Sequence, residues 1–201
     1  MKKKLTIALL AVFLSPLAFA QGNWGAAAKF GAAETDPQTL QKVFDAVGGD
    51  LTKGYGLFGL EALYEMNVEN QHKVGVKLGL DFYGNNEYEN NFISKITEET
   101  YAIPLTVYYK WDNGVKNWSF FAGAGATYMK AEMDNDTDSY NESKIFPHIT
   151  GGAEYRFTEL FALGIDVKYN FNAKLEKHIE SIDYKTDRSG ISGALAARFY
   201  F

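Results

Sequence analysis

The stretch KVGVKLGLDF, residues 73–82, decides how this chain is read. Val74, Val76, Leu78, Leu80 and Phe82 alternate with Lys73, Gly75, Lys77, Gly79 and Asp81. A period of two sends successive side chains to opposite faces of an extended strand. One face is then apolar throughout, and the other is charged or bare. The same alternation recurs in seven further segments: 24–30, 58–66, 101–111, 118–128, 149–157, 161–171 and 191–201. Eight strands of this kind must put their apolar faces somewhere. A soluble sandwich or a lipocalin-type barrel turns them inward; a membrane barrel turns them out to lipid around a polar lumen.

Three features favour the membrane. The connections alternate in length. Those at 34–53, 84–98, 131–143 and 172–189 are long, whereas 67–71, 112–117 and 158–159 are short. Long loops on one side and tight turns on the other are expected of outer-membrane barrels, and with eight strands both termini fall on the tight-turn side. The aromatics gather at strand ends. Trp24, Tyr64, Tyr109, Trp111, Trp118, Phe120, Tyr155, Phe157, Phe161, Phe199 and Phe201 mark the short-turn side. Phe30, Phe58, Phe82, Tyr101, Tyr128, Tyr169 and Phe171 mark the other. Small and aliphatic residues fill the middles, as in a double aromatic girdle around an apolar band. Finally, the opposite face is too charged for a soluble core. It carries Lys29, Glu61, Glu65, Lys73, Lys77, Asp81, Lys110, Glu154, Arg156, Asp166, Lys168 and Arg198, seven basic residues and five acidic. An interior this narrow is filled by side chains. These charges are therefore expected to pair into a plug, because a buried unpaired charge is costly. Leu63, Tyr108, Phe121, Met129 and Tyr200 share that inward phase.

The N-terminus argues for export. Lys2, Lys3 and Lys4 precede an apolar run over 5–14, Pro16 breaks it, and Ala18 and Ala20 flank Phe19 in a small-x-small site. This is the pattern of a cleaved signal peptide over 1–20, leaving a barrel over 21–201. The run is shorter than the roughly 20 residues that a spanning helix needs. Cleavage lowers the basic count from 20 to 17 against 25 acidic residues, a net charge of −8 that argues against nucleic acid as a partner. The chain has no cysteine, so disulfides, thiol chemistry and lipidated cysteine are excluded.

Three stretches resemble a known family: FFAGAGATYM at 120–129, GGAEYRF running into a tight turn at 151–157, and the terminal ARFYF at 197–201. Over 22–201 the chain resembles the small eight-stranded outer-membrane barrels of Gram-negative bacteria, of the OmpA, OmpX and opacity-protein kind. The resemblance implies an all-β, eight-stranded antiparallel up-and-down transmembrane barrel in the cell outer membrane. It implies a surface-exposed protein with a role in envelope structure, adhesion or host contact, and it implies no enzyme and no cofactor. The alternative is a narrow pore, or a barrel that carries a small ligand. Expected partners are outer-membrane lipids and lipopolysaccharide, the outer-membrane assembly machinery that reads a terminal aromatic such as Phe201, and host or cell-surface ligands at the long loops. A monomer is expected, with no peptidoglycan-binding domain after the barrel. Pro104 departs from the pattern, since proline removes a ladder bond, and predicts a bulge.

Other candidates are weaker. His148 lies inward beside Thr150, with no serine partner at useful spacing, so a lipid-modifying site lacks its geometry. Asp134, Asp136 and Asp138 alternate like calcium ligands, but Ser139 and Ile145 stand where such a loop wants Gly and Glu. That segment reads as an acidic surface loop. Gly123 and Gly125 precede no helix, so they read as room for lumen side chains such as Phe121. Asp36 as a cap, Pro37 and Gly48, with a stripe of Leu40, Val43, Phe44 and Val47, predict a short helix over 36–48 that rests on the barrel mouth or the outer-leaflet interface.

Overall fold

A computed structural model of the chain describes residues 23–34, 55–69, 71–90, 93–112, 117–134, 139–179 and 182–201. The expected signal peptide and the expected helix over 36–48 lie outside them. Among the described residues ten strands form: β1 (Asn23–Ala33), β2 (Tyr55–Glu69), β3 (His72–Asn90), β4 (Ile93–Asp112), β5 (Trp118–Asp134), β6 (Ser139–Arg156), β7 (Phe161–Asn170), β8 (Lys174–Ile179), β9 (Ile182–Asp187) and β10 (Gly190–Tyr200). Eight close into an antiparallel barrel in the order β1-β10-β7-β6-β5-β4-β3-β2, while β8 and β9 pair only with each other. The seam joins the two chain ends. β1 and β10 pair from Gly25↔Tyr200 to Ala33↔Ser192, and the Phe201 amide donates to the Trp24 carbonyl at 2.8 Å. Closure leaves no strand edge within the belt, which is what lipid demands of a sheet.

The alternation sets the facing. Leu105 and Val107 are 51% and 56% exposed, whereas Lys110, on the same strand, is 2% exposed. Large apolar side chains on the outside and buried charges within invert the rule for soluble proteins, and lipid as the outer solvent satisfies both faces.

The strands correct the expected loops. A membrane strand needs about 9–11 residues. β1, β7 and β10 have 11, 10 and 11, but β3, β4, β5 and β6 have 19, 20, 17 and 18. The expected connections at 84–98 and 131–143 are mostly strand. The ladder runs on to Asn90↔Ile93, Thr97↔Asp134 and Asp134↔Ser139. These four strands run on past the length of β1, β7 and β10 as a wall. The connection at 172–189 likewise holds the β8–β9 hairpin, paired from Lys174↔Asp187 to Ile179↔Ile182. Their polar sequences resemble loops because a sheet outside the bilayer needs no apolar face; the ladder hydrogen bonds hold it.

The tight turns are local. Leu160 and Phe161 amides donate to the Thr158 hydroxyl at 3.3 and 3.0 Å, which closes the β6–β7 turn. Asn117, at φ 69°, precedes β5 in the left-handed region that asparagine tolerates, and its carbonyl accepts from the Arg156 amide at 2.8 Å. No bulge forms at Pro104. Leu78↔Leu105 and Asp81↔Ala102 keep one register across it, and the shifts fall instead between Tyr83 and Asn86 and between Tyr88 and Asn90. The missing donor costs ladder pairing on the β3 side without inserting a residue. Gly79 makes room: a Cβ there would lie 2.9 Å from the proline Cγ.

Candidate functional site

The lumen is where the chain concentrates its chemistry. All twelve lumen charges of the sequence reading take part in ion pairs. Lys29 reaches Glu61 at 3.1 Å and Asp81 at 2.8 Å, and Lys168 reaches Asp81 at 2.8 Å. These four residues from β1, β2, β3 and β7 form one balanced group. The other eight form a second group, nearer the short turns. Lys110 reaches Glu65 at 3.0 Å and Glu154 at 2.5 Å. Lys73 approaches Glu65 at 3.6 Å, and Arg156 and Arg198 approach Glu154 at 3.6 and 3.7 Å. Arg198 also grips Asp166, at 2.5 Å, which Lys77 approaches at 3.7 Å.

Register explains the sharing. Lys73 and Lys110 are directly opposed across β3 and β4, a repulsive pairing on its own. Glu65, on the neighbouring β2, lies within ion-pair reach of both. Two phenols complete this group. Tyr108 donates to Glu65 at 2.9 Å, and Tyr200 donates to Glu154 at 2.8 Å while accepting from Lys110 at 3.0 Å. Lys77 lies 3.7 Å over the Phe121 ring, and the Arg156 guanidinium lies 4.3 Å over Tyr200. Both are cation–π contacts. Arg156 and Lys73 keep some contact with solvent at the short-turn mouth, with side chains 26% and 16% exposed.

Glycines shape this packing, with different partners from those expected. Gly123 faces Tyr108, Gly125 faces His148, and it is Gly152 that faces Phe121. A Cβ at each would fall 2.7, 2.9 and 2.7 Å from these side chains.

His148 is buried between two hydroxyls. Thr106 Oγ1 lies 2.8 Å from Nε2 and Thr127 Oγ1 lies 2.9 Å from Nδ1. Both ring nitrogens are engaged, and the ring faces the lumen, away from lipid. Residues 139–143, expected as part of an acidic loop, are the start of β6, and Ser139 pairs with Asp134 of β5.

Two parts of the lumen escaped the sequence reading. A cavity of about 30 Å3 lies mid-barrel, lined by Lys29, Glu61, Asp81 and Lys168 with Thr106 and Thr150. That is room for a water or two, and Glu61 Oε2 beside it has no protein hydrogen-bond partner. Above the cavity the lumen turns apolar. Leu57, Tyr83, Ala102, Met129, Phe146 and Ala194 form a buried cluster with Ala173 and Leu175 from the β7–β10 connection. Arg188 of that connection is buried too, donating to Thr100 at 3.0 Å with its guanidinium 4.3 Å over Tyr55. The change of character in the inward phase, from Lys and Glu to Leu57, Tyr83, Ala102, Met129 and Phe146, is visible in the sequence. The contribution of 173–188 is not, because those residues belong to no membrane strand.

On the outside, rings touch around the short-turn rim. Trp24 meets Tyr64 at 4.7 Å, Tyr109 meets Trp111 and Trp111 meets Phe120 at 6.0 Å, and Trp118 meets Tyr155 at 5.3 Å. The series continues through Tyr155–Phe157, Phe157–Phe161 and Phe161–Phe199 at 4.8, 5.9 and 5.1 Å. Phe201 is 73% exposed at the end of the chain.

Residues 5–199 match the family model described as outer membrane protein beta-barrel domain, and the chain belongs to that family. Among solved structures it is similar to Ail, the attachment invasion locus protein of Yersinia pestis: 14% identity, 91% of this chain and 100% of that one, TM-score 0.57. It is similar to Neisserial surface protein A at 14% identity, over 89% and 95% of the two chains, with a TM-score of 0.56. A major outer membrane protein of Thermus thermophilus matches at 11% identity, over 90% and 100%, with a TM-score of 0.52. These likenesses are likenesses of fold. No curated protein matches the sequence.

Proposed function

We propose that this outer-membrane barrel acts as a surface-contact and envelope-structural protein through its raised wall, and not by passing solutes. The observation that carries the reading is that all twelve of these lumen charges are engaged in ion pairs, which fits a filled interior better than a conducting one. In this orientation the short turns face the periplasm and the wall faces outward. Ail has been solved in complex with the heparin analogue sucrose octasulfate, an anionic ligand. The wall here has the opposite character: residues 84–99 and 130–144 hold nine acidic residues and three basic ones. It suits a cationic partner better than a sulfated sugar, because complementary potential sets encounter and specificity. Phe201 is the feature on which the assembly machinery would act, the lipid-facing belt implies outer-membrane lipid and lipopolysaccharide as the surrounding solvent, and the protein works as a monomer. Catalysis has no part in this reading.

The competing role is a narrow pore. Planar-bilayer recording of the purified protein separates the two: no conductance above background is expected, and steady channel events would overturn the proposal. Shortening both wall hairpins, by deleting 86–97 and 133–140, is expected to preserve the shift in gel mobility between boiled and unboiled samples while removing binding to a polycationic surface. Retained binding would place contact elsewhere.

A further inference from the structure

Among the described residues, two kinds of packing fill the lumen in series. At its outer end the block is apolar, and part of it comes from outside the barrel strands: Ala173 and Leu175, buried beside Leu57, Met129 and Phe146. At its periplasmic end the packing is held by ion pairs, with Glu65, Lys110, Glu154, Arg198 and the Tyr200 hydroxyl bound to one another around the buried Leu63 and Phe121. The cavity lies between them. Leu57 and Ala194 of the apolar cluster line it from one side, and Lys77 and Asp166 of the ionic group from the other. Along β4 the order is Ala102, then Thr106 at the cavity, then Lys110. The two blocks also fail differently. An ionic block weakens when a partner is lost or a charge is hydrated. An apolar block resists ions because it offers them nothing to replace water.

We propose that the barrel carries two independent seals, an apolar outer stopper completed by the β7–β10 connection and an ionic inner lock, with the central cavity as a chamber between them. This rests on the closed-lumen reading and goes beyond it. Removing either seal opens the chamber to one side only, and passage requires the loss of both.

The absence of cysteine makes the test clean. Thr106→Cys places a single thiol in the chamber. Full-length protein is reconstituted in one orientation and exposed to a small charged methanethiosulfonate reagent on one face at a time. With both seals intact, no labelling is expected from either face. With the stopper loosened by Phe146→Ala and Leu175→Gly, labelling is expected from the outer face alone. With the lock removed as a neutral pair, Glu65→Ala and Lys110→Ala, labelling is expected from the periplasmic face alone. All four changes together are expected to label from both faces and to conduct in planar bilayers at least about tenfold above background. Each variant is first checked for heat-modifiable mobility, and Met129→Ala alone replaces the stopper variant if that one does not assemble. Labelling of the otherwise intact protein from both faces would sink the closed-lumen reading itself. If the intact protein labels from one face only, or a single-seal variant labels from the wrong face or not at all, the lumen stays closed but the two-seal inference falls.

Discussion

Glu154 and Phe146 sit on one strand, eight positions apart, and both point inward. Glu154 is held by Lys110, Arg156 and Arg198 and by the Tyr200 hydroxyl. Phe146 is held by the volume of the cluster it shares with Leu57, Met129 and Leu175. The same face of one strand thus fills the lumen in two ways. The charged end is directional: every partner must be present and placed, because a buried carboxylate without its partner is costly. The apolar end is not directional and depends on filled space. The difference teaches that inward phase alone does not specify what a lumen position must be. Depth along the barrel biases the choice, although Leu63 is buried between Glu61 and Glu65 on β2.

Substitutions at the two ends test this. Glu154→Ala should have the largest effect. It strands Arg156 and leaves Lys110 and Arg198 with one carboxylate each, and loss of one partner from a buried ionic group costs about 3–5 kcal/mol. Urea unfolding in lipid bilayers reads the shift, and a loss as small as that of an exposed pair would show that the lower lumen is wetter than its burial implies. Phe146→Ala should cost about 3 kcal/mol through the cavity it leaves. The loss should be indifferent to salt, whereas the charge variants should respond to it, and equal salt dependence at the two ends would break the comparison. Leu105→Arg, on the lipid side near mid-barrel, should cost about 2–4 kcal/mol, with the unfolding midpoint as readout. Deleting Phe201 should barely move that midpoint, since the ring is mostly exposed, but should lower the assembled yield in cells. Equal yields would remove the terminal aromatic from assembly. Lys130→Ala should change nothing measurable, because its 2.5 Å pair with Glu132 lies on the exposed face.

The belt was legible because lipid imposes a strict rule. Val74 through Phe82 had to face one solvent and Lys73 through Asp81 another, and a one-residue slip would exchange them. The wall was not legible, because beyond the bilayer that rule lapses. Residues such as Asn86, Glu98 and Ser139 are strand only because a neighbour continues the ladder beside them. Pro104 misled for a related reason: a proline signals a lost donor, but whether the ladder bulges or skips depends on the residue across from it, here Gly79.

By itself, the sequence determined the fold class, the number of membrane strands, which face meets lipid, and twelve of the charges that turn inward, since all of these follow from the period of two and from solvents that tolerate only one kind of side chain. Only the tertiary structure decided who pairs with whom. Arg198 bridges Glu154 and Asp166, and Lys110 shares Glu65 with Lys73, because barrel closure brings β10, β6, β7, β2, β3 and β4 around one narrow axis. It also decided that Ala173, Leu175 and Arg188, in the connection from β7 to β10, turn into the barrel mouth. No local pattern records that contact, because its partners lie on strands far away in the chain.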